Sequence, residues 1–134
     1  MNDYKESLVN VLFPIGIDAA IGRQLWFSLF LPPGQKIIDI GGGQGYMTIG
    51  YPTDKPVTIL DDFSGVPPAE KKPEGAIQGD AHEVPFPDNS FDIAIVGDII
   101  EHLTDPDKTL REAARVAKFI LVSTPYEYEW AMVQ

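Results

Sequence analysis

The stretch Ile37-Ile38-Asp39-Ile40-Gly41-Gly42-Gly43-Gln44-Gly45 decides how this chain is read. An apolar run carrying an acid opens directly into a glycine loop. A short run rich in Ile predicts a strand buried on both faces. Glycines at a strand's carboxyl end let backbone amides approach a ligand closely, and in an open parallel sheet the ligand sits where the strand order reverses. Two common phosphate loops do not fit. A dinucleotide site needs Gly-x-Gly-x-x-Gly, but the last place falls on Tyr46 counted from Gly41 and on Thr48 counted from Gly43. A P-loop needs Gly-Lys-Ser/Thr, which does not follow. Asp39 beside the loop suits a ligand with an ammonium or hydroxyls better than a pyrophosphate.

Outward from the loop, five short apolar runs predict strands at residues 36–40, 57–60, 76–78, 91–96 and 119–123. The four other than 76–78 are rich in Ile and Val and read as buried on both faces. A helix is predicted between the last two strands. Thr104 or Asp105 caps it, Pro106 sits in its first turn and Asp107 complements its dipole. Leu110, Ala113, Ala114 and Ala117 form its apolar face, and Lys108, Arg111, Arg115 and Lys118 read as a solvated basic stripe. Strand–helix–strand alternation implies a parallel sheet. The crossovers at 46–56 and 63–75 are thin, and Pro52, Pro67, Pro68 and Pro73 leave them little helix. Ahead of the sheet, residues 5–13 and 18–30 read as helices, stopped at Pro32-Pro33-Gly34.

At 134 residues the length predicts a single domain: N-terminal helices at 1–34, a ligand-binding core at 35–125 and a tail at 126–134. There is no cysteine, which excludes disulfides and thiolate chemistry, and with two His no metal site is expected. The formal charge of −10 disfavours nucleic-acid and anionic-membrane partners. The start, Met-Asn-Asp-Tyr-Lys-Glu, lacks the features of a signal peptide, and no apolar run approaches the length of a membrane helix. A cytoplasmic domain is expected.

The second strand ends in Asp61-Asp62 and the third runs into Gly79-Asp80-Ala81. One acid after a strand is a turn residue. Acids at three successive strand ends, beside a glycine loop, predict a binding crevice.

With these residues in place, the chain resembles the class I S-adenosylmethionine-dependent methyltransferases, in particular the group that methylates quinones, sterols and similar small molecules. The resemblance runs over residues 36–125. Its most specific part is Gly79-Asp80-Ala81-His82-Glu83-Val84-Pro85-Phe86-Pro87-Asp88-Asn89-Ser90-Phe91-Asp92, followed by Glu101-His102 and Asp105-Pro106. It implies a Rossmann-like α/β fold whose strands lie in the order 3-2-1-4-5, with S-adenosyl-L-methionine as cofactor. Asp39 and the amides around Gly41, Gly42, Gly43 and Gly45 would hold the methionine part. Asp61, with Asp62 as the register alternative, would take the ribose hydroxyls. Asp80 would accept the adenine amino group, the Ala81 amide would meet a ring nitrogen, and Gly97 would line the wall beside the methionine part. Glu101 and His102 are the candidates for catalysis, although His102 also reads as a buttress of a short helix at 98–103. His82 is expected at the rim.

The family usually continues with two further strands, which are missing here. The fifth strand is therefore expected to leave an apolar edge, covered by a homodimer or by the tail. The expected activity is methyl transfer to a small-molecule acceptor. The alternative is a cofactor-binding module without turnover of its own, either regulatory, dependent on a partner, or a fragment. A scaffold with a vestigial site is the third reading, and the retained acids argue against it.

Overall fold

The computed structural model describes residues 31, 33–45, 48, 56–65 and 72–123. The expected helices before residue 31, most of the first crossover and the tail lie outside the described residues.

Five strands form one sheet: β1 (Ile37–Ile40), β2 (Thr58–Asp61), β3 (Ala76–Gln78), β4 (Phe91–Gly97) and β5 (Ala117–Ser123). Their order is β3-β2-β1-β4-β5, and every neighbouring pair is parallel. This is the expected order. The period of two along each strand divides the apolar residues between two layers. Ile38, Ile40, Leu60, Ala94 and Val96 pack on one face together with Ala113 and Val116. Ile37, Ile93 and Ile95 pack on the other with Leu31. A one-residue slip between β1 and β4 would exchange these sets, so the pairing of Ile38 with Ala94 is strongly specified.

The helix α1 (Pro106–Val116) starts where its capping signals place it. Asp105 is the N-cap and its carboxylate accepts the Lys108 amide at 3.0 Å. Its buried face differs from the expected one. Thr109, Ala113 and Val116 are buried, Ala114 is exposed, and Ala117 already belongs to β5. The spacing 109-113-116 is a good helical row, but a sequence offers several such rows. The direct run from Val116 into β5 selects this one.

Arg115 also departs from expectation. It does not lie on a solvated stripe. Its guanidinium donates to the carbonyls of Val84 and Phe86 at 2.9 and 2.7 Å and pairs with Glu112 and Asp88 at 2.8 and 3.0 Å. Glu112 accepts the Val84 amide at 2.8 Å, and these bonds hold its carboxyl below the usual range. The loop that precedes β4 is thus sewn onto α1, and Phe86 meets Phe91 edge to face at 4.9 Å.

β5 is not buried on both faces. It is an edge strand, and Phe119 is 71% exposed, Val122 44% and Ile120 36%. Only β4 flanks it among the described residues. The short helix expected at 98–103 is a single 3-10 turn, Ile100–His102.

Arg115→Ala should destabilise the chain by about 1–3 kcal/mol, because two loop carbonyls and a carboxylate pair lose their donor. Arg115→Lys should recover only a minor part, since a point ammonium cannot reproduce the fork. Urea midpoints test this, and an unshifted midpoint in Arg115→Ala would show that the loop docks without it.

Candidate functional site

Because the strands are parallel, their carboxyl ends meet at one edge of the sheet. The glycine loop, the two acids after β2, the Asp80 loop and the turn after β4 all emerge there. Between them lies a crevice of about 460 Å³. Gly41 and Ile99 line its middle, Asp61, Asp62 and Ser64 one side, and Gly79, Asp80, Ala81 and His82 the adjoining end. His102, Leu103 and Thr104 complete the lining, with Thr104 beside His82. The volume is in the range of small-molecule sites.

The glycine loop lies very close to its neighbours. A Cβ on Gly42 would stand 2.6 Å from the Asp39 carboxyl carbon, and one on Gly41 would stand 2.6 Å from the Ile99 side chain. No side chain fits at either place without displacing the wall. The Gly41 amide donates to the Leu60 carbonyl at 2.6 Å, and the Gly43 amide donates to Asp61 Oδ2 at 2.8 Å. Gly45 closes the turn by donating to the Gly42 carbonyl at 2.8 Å.

Asp39, at the end of β1, is 1% exposed. Among the described residues its Oδ2 has no hydrogen-bond partner, and neither has the buried Nε2 of Gln44 in the loop. Burial, and secondarily the charge of Asp61, push the Asp39 carboxyl up to about 7. A buried acid with an open oxygen is an acceptor waiting for a cationic donor. Gln44 was not singled out from the sequence. Its only sequence signal is that it is the one side chain among four glycines.

The two acids after β2 do different work. Asp61 spans the loop ends, with Oδ2 on the Gly43 amide and Oδ1 on the Phe63 amide at 2.7 Å. Asp62 accepts both the amide and the hydroxyl of Ser64 at 2.8 and 2.7 Å, and these bonds hold its carboxyl below the usual range. Of the pair, Asp61 is the one tied to the glycine loop, and Asp62 makes the turn.

Asp80 accepts the His82 amide and meets the His82 ring Nδ1, both on Oδ1, at 2.8 and 2.7 Å. These contacts hold its carboxyl below the usual range. His82 is no simple rim residue. Its side chain is 18% exposed and reaches the Asp105 amide at 3.2 Å. Gly97 ends β4, paired with Ser123, and Ile99 rather than Gly97 forms the wall opposite Gly41. His102 lines the crevice but its side chain is 78% exposed, with Glu101 Oε1 at 3.7 Å from its Nε2. Among the described residues no cluster of three His, Asp or Glu could hold a metal, and no helix is long and apolar enough to cross a membrane.

Comparisons with known proteins meet this geometry. A family model described as a methyltransferase domain matches residues 38–119. The chloroplastic 2-methyl-6-phytyl-1,4-hydroquinone methyltransferase 1 of Oryza sativa subsp. japonica is 36% identical over 93 residues, covering 63% of this chain and 28% of its own length. The ubiquinone/menaquinone biosynthesis C-methyltransferase of Vibrio cholerae is 35% identical over 99 residues, covering 64% of this chain and 38% of its own. This chain therefore spans well under half the length of both relatives. The solved YcgJ protein of Bacillus subtilis is similar at a TM-score of 0.58 and 27% identity, over 83% of this chain and 53% of that one. A SAM-dependent methyltransferase from Thermotoga maritima shares the fold at a TM-score of 0.54. With more than half of its residues inside the family model and with the sheet order and glycine loop in place, the chain belongs to the class I S-adenosylmethionine-dependent methyltransferases.

Proposed function

We propose that this chain binds S-adenosyl-L-methionine in the crevice and transfers its methyl group to a small-molecule acceptor. The observation that carries the reading is Asp39. A buried carboxylate with an oxygen unpaired among the described residues, under a loop with no room for a Cβ at Gly41 or Gly42, suits a cationic donor such as an ammonium. Asp39 would hold the amino group of the methionine part beneath the loop of Gly41, Gly42, Gly43 and Gly45. Asp61 would accept the ribose hydroxyls on the lone pairs its two backbone bonds leave open. Asp80 and the Ala81 amide would take the adenine edge.

When bound, the cofactor supplies a methyl carbon already activated by a sulfonium. The protein's share is to position the acceptor in line and to keep water out. His102, with Glu101 beside it, is the candidate to take the acceptor's proton. One relative is named a hydroquinone methyltransferase and another a C-methyltransferase of ubiquinone and menaquinone biosynthesis, so a quinol is the first acceptor class to test.

A second reading is cofactor binding without independent turnover. The exposure of the His102 side chain favours it, since a base in open water has no fixed partner. Pairing of two chains along β5 would cover Phe119, Ile120 and Val122, and a monomeric mass at high concentration would dismiss that dimer.

Calorimetric titration with S-adenosylmethionine and S-adenosylhomocysteine should show saturable binding, with none for NAD. Asp61→Ala and Asp80→Ala should each weaken it by about 1–3 kcal/mol. Unchanged affinity in both would move the ribose and adenine sites elsewhere. Methyl transfer to a quinol separates the two readings, because binding without transfer supports the second.

Asp39 also makes a pH prediction. The folded chain keeps its proton up to about pH 7, whereas an ordinary carboxyl loses it near 3.8. Between these values the native state binds more protons than the unfolded one, so this group's contribution to stability falls as pH rises. Asp39→Asn should therefore melt above the native chain at pH 8, with the gain gone near pH 4. The native chain's cofactor affinity should rise as pH climbs through about 7, and the same variant should lack that rise. A variant that melts lower at pH 8 would contradict an uncompensated buried carboxylate.

A further inference from the structure

His82 joins two segments that the chain separates by more than twenty residues. On one side its Nδ1 lies 2.7 Å from Asp80 Oδ1, the oxygen that also accepts its own backbone amide at 2.8 Å. On the other side the Asp105 amide donates to Nε2 at 3.2 Å, with Thr104 Oγ1 at 3.4 Å. A backbone amide can only donate. Nε2 must therefore carry the lone pair, and the ring proton sits on Nδ1, pointing at Asp80. One neutral tautomer satisfies both sides.

The consequence falls on Asp80, whose side chain is 65% exposed. An aspartate that open to solvent ordinarily samples several rotamers. Here two N–H groups hold Oδ1, while Oδ2 carries no hydrogen bond among the described residues. The carboxylate is left with one orientation and one open acceptor. The Ala81 amide beside it likewise donates to no described residue. An acceptor next to a donor complements an amino group next to a ring nitrogen, which is the edge of a 6-aminopurine. The bond to the Asp105 amide fixes the far side of the ring, and with it the direction of the Nδ1 proton.

We infer that His82 is a positioning residue that orients Asp80 to select a 6-aminopurine. This rests on the cofactor reading above. His82 acts through Asp80 and touches no reacting atom.

The test is calorimetry with S-adenosylhomocysteine and with its purine-riboside analogue, in which hydrogen replaces the 6-amino group. The native chain should prefer the amino ligand by about tenfold, the equivalent of one hydrogen bond. His82→Ala should lose most of that preference while binding the analogue nearly as before, which also shows that it folds. His82→Asn, whose amide can still donate to Asp80, should keep the preference. Equal losses for both ligands in His82→Ala, or an unchanged ratio, would overturn the role of His82 and leave the cofactor reading standing. A native chain that binds neither ligand would overturn the cofactor reading and this inference with it. Long-range proton–nitrogen spectra of the native chain should show the His82 proton on Nδ1, and the opposite tautomer would overturn the inference directly.

Discussion

Two carboxylates hold one glycine loop, and the architecture at the strand ends follows from that contact. Gly42 lies against the Asp39 carboxyl with no room for a Cβ, and the Gly43 amide bonds to Asp61. The first contact sets how deep the loop sits and the second sets which way its amides turn. Neither is available unless β1 and β2 are parallel neighbours whose carboxyl ends coincide. That in turn depends on the two apolar layers that fix the register of β1, the central strand. The arrangement has a cost, because Asp39 is buried with an oxygen unpaired. Local penalties of this kind cluster where a structure serves function rather than stability.

The opposite end of the crevice is built differently. The loop after β3 has little secondary structure, and α1 holds it at both ends. At the helix N-terminus the Asp105 amide reaches His82, and near the C-terminus Arg115 and Glu112 take the backbone of Val84 and Phe86. Asp80 and Ala81 are thereby carried on a rigid element although they stand in a loop. The crossover that links β4 to β5 thus also sets the geometry at this end of the crevice.

Local pattern and long-range contact divide the molecule between them. The strand segments, the glycine loop, the acids at three strand ends and the Asp105 cap were readable because each depends on residues within a few positions of one another. Strand order was not readable from periodicity and came only with the family resemblance. The buried row of α1 was misjudged because Leu110, Ala113 and Ala114 make as good a stripe as Thr109, Ala113 and Val116 until a sheet is placed beneath them. β5 reads as a buried strand from its Ile and Val alone, and its exposure at the sheet's edge was legible only through the family resemblance.

By itself, then, the sequence determined the kind of fold and the chemical types at the crevice: glycines where a backbone must come close, and carboxylates at three successive strand ends. Tertiary structure alone decided which carboxylate does what. Asp61 rather than Asp62 faces the loop because of the register of β2 against β1. Arg115 became a staple and His82 a bridge because their partners lie about thirty and twenty residues away, beyond the reach of any local pattern. Contacts made across such separations exist only once the sheet and helix have been brought together.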